Sequence, residues 1–299
     1  MGWVLVAVSS GAEARLGELS ETSVLAAGGT PNGWTCLSDT GPLHAGALRF
    51  TAATEGLGVL RNALEAAGPI DAAILPAARF GRKRLLISDM DSTIIGQECI
   101  DEIADAVGLK AKISEITERA MRGELDFEAA LTERVAMLKG LPLGALARTL
   151  EERITLNPGA RTLIATMKAH GAATLLVSGG FTYFTSRVAE LAGFESHQGN
   201  TLIDDGATLT GEVGRPILGR EAKRTALLEA AAALGASAEE TLAMGDGAND
   251  LDMIRASGLG VAYRAKPVVA AEAAGSIRHT DLTAALFFQG YKASEFVLD

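Results

Sequence analysis

Between Leu85 and Glu102 the chain reads LLISDMDSTIIGQECIDE, and this stretch constrains the fold more than any other. A short apolar run, Leu85-Leu86-Ile87, stops at two aspartates one residue apart, Asp89 and Asp91, followed by the hydroxyls Ser92 and Thr93. An apolar core does not hold two unpaired acids side by side, so the run reads as a buried strand that delivers carboxylates to its carboxyl end. In open α/β sheets ligands occupy the crevice beyond such strand ends. The chemistry of the chain is expected there.

The 299 residues favour about two domains, and a hydrophobic content of 48% supplies ample core. The longest apolar runs, such as Ala230 to Leu234, fall far short of the ~20 residues of a membrane span. With no charged segment ahead of the first apolar run, no membrane partner and a cytoplasmic address are expected. Cys36 and Cys99 are too few and too far apart for a disulfide framework or a zinc cluster, and both read as free thiols. A net charge of −10 argues against a nucleic-acid partner, because phosphate backbones are gripped by an excess of Lys and Arg. A small anionic substrate remains open where local cations receive it. A homodimer is compatible with the sequence, which carries nothing that specifies one.

Along the chain, residues 1–80 form a distinct block. Trp3 to Val8, Ala47 to Ala53 and Ile70 to Leu75 read as strands and Leu57 to Ala67 as a helix, while Gly28, Gly29, Pro31 and Gly33 interrupt the pattern between them. This predicts a small N-terminal α+β domain whose order resembles an ACT-like regulatory domain. The basic Arg79 to Arg84 reads as a solvated linker. Residues 81–299 form the second unit. Within it, about 96–157 is helical and charge-rich, with apolar faces at Ile100, Ile103 and Val107, then Ile113, Ile116, Ala120 and Met121, then Phe127, Leu131 and Leu138. These helices interrupt an α/β rhythm and read as an inserted cap. After Pro158-Gly159 the rhythm resumes, with strands predicted at Ala173 to Val177, Thr241 to Met244 and Leu259 to Tyr263, and a hairpin around Asp205-Gly206. The fold class is therefore α/β, a doubly wound parallel sheet with a helical cap and a small N-terminal domain.

Three strand ends carry polar clusters, at Asp89, Ser178 and Asp246. DMDST, then VSGG, then the helical Lys223, then GDGAND follow one another in this order, and the set resembles the four motifs of the haloacid dehalogenase superfamily of phosphohydrolases, from about Leu85 to the end. Chemistry agrees with the resemblance. The reference pKa of an aspartate, ~3.9, leaves Asp89 expected to be ionised at pH 7 and ready to attack phosphorus without a base, giving an aspartyl-phosphate. Asp91 is suited to protonate the leaving alkoxide and later to take a proton from water, since no histidine sits in any motif. Asp89, Asp246 and Asp250 around a phosphate dianion would repel it, and oxygen ligands of this kind suit magnesium. The resemblance implies that Asp89 and Asp246 give side-chain oxygens to Mg2+, Asp91 its carbonyl, and that Asp250 orders the outer shell. It also implies that Ser178, Gly179, Lys223 and Asn249 hold the phosphate.

The cap bears on substrate. Arg134 lies on the apolar face of its helix, seven residues after Phe127 and three after Leu131, where a snorkelling arginine is the ordinary reading. DSTIIGQECIDE followed by RAMRGELDFEAALTERV is similar to the phosphoserine phosphatases. That likeness implies that Glu98 and Arg134 receive the ammonium and carboxylate of O-phosphoserine, with Met121 and Phe127 as apolar cap residues. Met90 stands between the motif aspartates where an aromatic is often found. Transfer of the phosphate to a second hydroxyl such as that of homoserine stays open, as does an amino-acid-sensing protein with a vestigial phosphatase half. All motifs follow Gly81, so the sequence alone predicts that catalysis survives removal of residues 1–80.

Overall fold

A computed structural model describes residues 2–11, 15–39, 41–121 and 124–298. The chain opens with β1 (Gly2–Ser9), α1 (Leu16–Ala26), β2 (Thr30–Ser38), β3 (His44–Thr51), α2 (Gly56–Ala67) and β4 (Ile70–Pro76). The strands pair antiparallel in the order β2-β3-β1-β4, which with the βαββαβ sequence is a ferredoxin-like arrangement. Two of these elements, α1 and β2, are not legible in the sequence. Leu16, Ser20 and Val24 give α1 one buried face, and Gly28, at φ 72°, ends it in the left-handed region. Pro31 is tolerated because β2 is the edge strand and its pairing slips between Pro31 and Trp34.

The next elements are β5 (Leu85–Ser88), then four cap helices, α3 (Cys99–Ala106), α4 (Lys110–Met121), α5 (Phe127–Ala136) and α6 (Leu143–Arg153), then α7 (Ala160–Ala169), β6 (Ala173–Phe181), α8 (Thr182–Ala192) and β7 (Ser196–Asn200). A hairpin of β8 (Leu202–Asp204) and β9 (Leu209–Val213) precedes α9 (Arg220–Ala233), β10 (Thr241–Gly245), α10 (Leu251–Ala256), β11 (Leu259–Tyr263), α11 (Pro267–Glu272), β12 (Gly275–Ile277) and α12 (Ala284–Phe287). Strands β12-β11-β10-β5-β6-β7 are parallel neighbours, as βαβ connections require. At the far edge β12 pairs antiparallel with β4, Gly275 opposite Ala73 and Ser276 opposite Ala72, so both blocks share one ten-stranded sheet.

The period of two along β1 shows how the blocks fuse. Trp3 and Leu5 face α2 with Leu60 and Leu64, whereas Val4, Val6 and Val8 belong to the same core as Leu86, Phe287 and Tyr291. The two crossings into and out of the cap run side by side. Asn157 donates its backbone N–H to Ile94 O at 2.8 Å, and Gln97 and Thr155 exchange hydrogen bonds of 2.9 and 3.0 Å. The β8–β9 hairpin leaves the main sheet and joins the cap, with Gly140 N–H on Leu209 O at 2.8 Å and Leu209 N–H on Leu141 O at 2.9 Å. The cap layer thus includes residues well beyond the insertion at 96–157. Among the described residues no helix is long and apolar enough to cross a membrane.

Candidate active site

Parallel register aligns three strand ends. Ser88 lies beside Met244 on β10 and beside Leu176 on β6, so Asp89, the 245–250 turn and Ser178 emerge at one edge. Asp89 N–H donates to Met244 O at 2.9 Å, and the Asp89 Oδ1 accepts its neighbour's Met90 N–H at 2.7 Å. Ser92 takes φ 55°, which turns the chain sharply after Asp91.

Lys223 reaches this point from α9 and is 1% exposed. Its Nζ lies 2.8 Å from Asp89 Oδ1 and 2.7 Å from Asp250 Oδ1. Burial would lower the lysine pKa, but the two carboxylates outweigh it and hold the ammonium above its ordinary value. Asp250 spends its other oxygen on the Asp246 and Gly247 N–H groups, at 3.2 and 3.1 Å. Gly245 has to be glycine, since a Cβ there would sit 2.3 Å from Asp250 Cγ.

Asp89, Asp246 and Asp250 bring carboxylate oxygens within 4.8 Å of one another. Burial, then the charge of Asp250, pushes Asp89 well above the carboxylate range, and burial, Asp250 and Glu98 push Asp246 up to about 6. Burial and the Glu98 carboxylate push Asp91 up to about 7, and its Oδ1 has no hydrogen-bond partner among the described residues. Such mutual repulsion is what a divalent cation with oxygen ligands would relieve, so the donor set fits Mg2+. Asp250, with its carboxylate held by Lys223 and two amides, is placed to order the Asp246 loop.

Ser178 is 1% exposed, and its Oγ accepts the Gly180 N–H at 2.8 Å. β6 continues through Phe181, past the predicted strand end at Val177, so Ser178-Gly179-Gly180 is extended backbone and the helix starts only at Thr182. Asn200, at the end of β7, pins this segment. It donates from Nδ2 to Gly179 O at 2.8 Å and to Leu218 O at 3.2 Å, and accepts Leu218 N–H at 2.7 Å.

A cavity of about 430 Å3 joins these strand ends to the cap. Asp89, Asp91, Ser178, Gly179, Asp246 and Asn249 line it from the sheet, and Glu98, Phe127 and Arg134 from the cap. Lys223 stands behind its wall. Met121 closes α4, and its side chain lies outside the described residues. Phe127 rests on the Ser178-Gly179-Gly180 segment, 3.1 Å from where a Gly179 Cβ would be. Arg134 is half-buried, donates from Nε to Ala130 O at 3.2 Å, and burial lowers its pKa against the charges of Asp101 and Glu98. The Glu98 carboxylate accepts Ser92 Oγ–H at 2.7 Å.

Asp101 and Lys266 also line the cavity, and neither stands out in the sequence. Asp101 is three residues after Glu98 on α3, a helical spacing that was available as a signal. Lys266 and Asn200 lie outside every motif and gave none.

The haloacid dehalogenase-like hydrolase model matches residues 86–255. A phosphoserine phosphatase of Albidiferax ferrireducens is 46% identical over 209 residues, 68% of this chain and 88% of that protein. A HAD family hydrolase, t0658, of Salmonella enterica superposes with a TM-score of 0.81 at 32% identity, over 96% of this chain and 98% of that one. A probable phosphoserine phosphatase of Vibrio cholerae, unliganded, gives 0.76 at 31% identity over 98% and 88%.

Proposed function

The chain belongs to the haloacid dehalogenase-like hydrolases, and from that premise we propose that it is a phosphoserine phosphatase, a magnesium-dependent phosphomonoesterase that releases L-serine and phosphate from O-phospho-L-serine. The observation that carries this reading is one cavity lined by both sets of residues the reading needs, the paired aspartates for attack and proton transfer and an arginine with a glutamate for an amino acid. Asp89 and Asp91 stand at the sheet end, Arg134 and Glu98 at the cap end.

Asp89 attacks phosphorus. Lys223, 2.8 Å away, favours the ionised carboxylate against the burial that opposes it. Asp91, whose pKa of about 7 leaves it partly protonated near neutrality, gives the proton to the seryl oxygen and then takes one from the water that hydrolyses the aspartyl-phosphate. Ser178, the Gly179 amide and Asn249 hold phosphate oxygens. Mg2+, held by Asp89 and Asp246 side chains and the Asp91 carbonyl, would neutralise the charge that develops on the phosphoryl group. Arg134 pairs with the substrate carboxylate and Glu98 with its ammonium, while Phe127 shields the phosphate end from water. We read residues 1–80 as an ACT-like unit, which the ferredoxin-like strand order supports.

The test is release of phosphate from O-phospho-L-serine with and without Mg2+. Magnesium-dependent release is expected, and failure to release phosphate in either condition would sink the reading. Homoserine in the same assay, with phosphorylated product counted against free phosphate, separates hydrolysis from transfer.

A further inference from the structure

Five carboxylates line the cavity, those of Asp89, Asp91, Glu98, Asp101 and Asp246, against two cationic side chains, Arg134 and Lys266. Lys223 adds charge from behind the wall, but it already serves Asp89 and Asp250. Arg134 stands at the cap end, under the charges of Asp101 and Glu98. With Mg2+ on Asp89 and Asp246, a phosphate dianion settling against Asp89 still faces the Asp91 and Glu98 carboxyls, and Lys266 is the exposed ammonium among the residues that line the cavity.

Lys266 lines the cavity beside the Asp246 turn. Its backbone N–H donates to Asp246 O at 3.1 Å, which ties it to the same turn as Gly247 and Asn249, its neighbours along the cavity. It is exposed and has no ion-pair partner among the described residues. The backbone that carries it is firmly set. It caps α11, where Val269 and Ala270 return N–H bonds of 2.9 and 3.1 Å to its carbonyl and Pro267 fixes the first helical residue. At the other end of α11, Arg61 of α2 donates to Ala273 O at 2.9 Å. A fixed backbone with a flexible four-carbon stem suits an ammonium that meets an anion at the cavity mouth and follows it inward.

We propose that Lys266 is a substrate-binding residue that pairs with the phosphate group of the substrate. The proposal rests on the phosphomonoester reading above and adds to it a residue outside the four motifs. It concerns the phosphate and not the amino acid, so every phosphate ester that enters the cavity should feel it.

The experiment compares wild type, Lys266→Met and Lys266→Arg in magnesium buffer. Calorimetry gives the Kd of inorganic phosphate, and steady-state assays give KM and kcat for phosphoserine and phosphoethanolamine. Lys266→Met should raise the phosphate Kd and both KM values about tenfold, the low end for a lost charge-assisted bond at an exposed site. It should leave kcat within about threefold and flatten the salt dependence of KM, while Lys266→Arg stays close to wild type. An unchanged phosphate Kd in Lys266→Met would overturn the proposal. So would a loss confined to phosphoserine, which would place Lys266 on the carboxylate. A wild type that binds phosphate yet leaves phosphoserine intact would sink the reading of function, with the calorimetric comparison still deciding Lys266.

Discussion

A carboxylate that attacks phosphorus has to be ionised, and burial at the end of β5 works against that for Asp89. The Lys223 ammonium opposes burial, so Asp89 as the proposed nucleophile depends on its partner. Asp89→Asn keeps the shape and removes the attack, and the rate should fall by roughly four orders of magnitude or more; a substantial residual rate in the folded variant would place the nucleophile elsewhere. Asp91→Asn should cost ~10²- to 10⁴-fold on phosphoserine and less on a phenyl ester, whose leaving group needs no proton. Equal losses on both esters would argue against Asp91 as the acid. Arg134→Ala removes one partner of a desolvated pair, costing ~2 to 5 kcal/mol, or about 30-fold to several thousand-fold in kcat/KM on phosphoserine, with little change on a simple alkyl phosphate. Equal depression of both substrates would make the arginine structural. Because Asp91 and Asp246 have raised folded pKa values, of about 7 and about 6, the stability they confer is complete below the ordinary carboxyl pKa and is lost as pH rises through the raised values. Metal-free protein should therefore melt at a lower temperature at pH 7.5 than at pH 5, and Mg2+ should shrink that difference. A melting temperature independent of pH and Mg2+ would mean that the carboxylates are not packed against one another as described. Residues whose type and order suggest the chemistry were legible in the sequence, whereas Asp101 and Lys266 come to the cavity, and Asn200 to the end of β6, only through the fold.

Elements were read where periodicity is strong and missed where turn residues mask it. The cap helices α3, α4 and α5 and the strand ends at Asp89 and Asp246 follow from apolar spacing that stops at Gly or Asp. Segment 16–38 does not, because Gly28, Gly29, Pro31 and Gly33 sit at the end of α1 and along an edge strand, where the pattern carries little information. The reach of the β8–β9 hairpin to the cap was likewise illegible, since it depends on hydrogen bonds between distant segments. The same holds for β7, whose last residue ties the end of β6 to Leu218. Asn200 is 2% exposed and makes three hydrogen bonds that join the end of β6 to Leu218. Asn200→Ala leaves the Leu218 N–H and two carbonyls without these partners, so stability should drop by ~1 to 3 kcal/mol. If the strand end is positioned by this side chain, kcat should drop about tenfold beyond any effect of unfolding, because a small misplacement near the reacting centre is costly. Chemical denaturation and kcat measured well below the melting temperature would check both, and a variant with lower stability but wild-type kcat would confine Asn200 to a structural part.

At the scale of the molecule, the motif positions alone predict that residues 81–299 catalyse by themselves, and the structure predicts otherwise. Removing residues 1–80 strips β4 from β12 and leaves an unpaired strand edge. It uncovers the core that Val4, Val6, Val8 and Leu75 share with Phe287 and Tyr291. It also deletes Asp71, 1% exposed, whose carboxylate accepts the backbone N–H groups of Arg278, His279 and Thr280 at 2.7, 3.0 and 2.8 Å, and Arg61, which holds the end of α11. Several large buried side chains lose their packing at once, at ~2 to 5 kcal/mol for each one truncated in place. The shortened protein should therefore aggregate, or melt at least about 10 °C below the full chain. Scanning calorimetry and size-exclusion chromatography on both proteins would decide it. A monomeric, soluble 81–299 fragment with the melting temperature and kcat of the full chain would overturn the expectation. A folded fragment with raised KM but unchanged kcat would instead trace the loss through α11 to Lys266, because Arg61 holds one end of that helix and Lys266 caps the other.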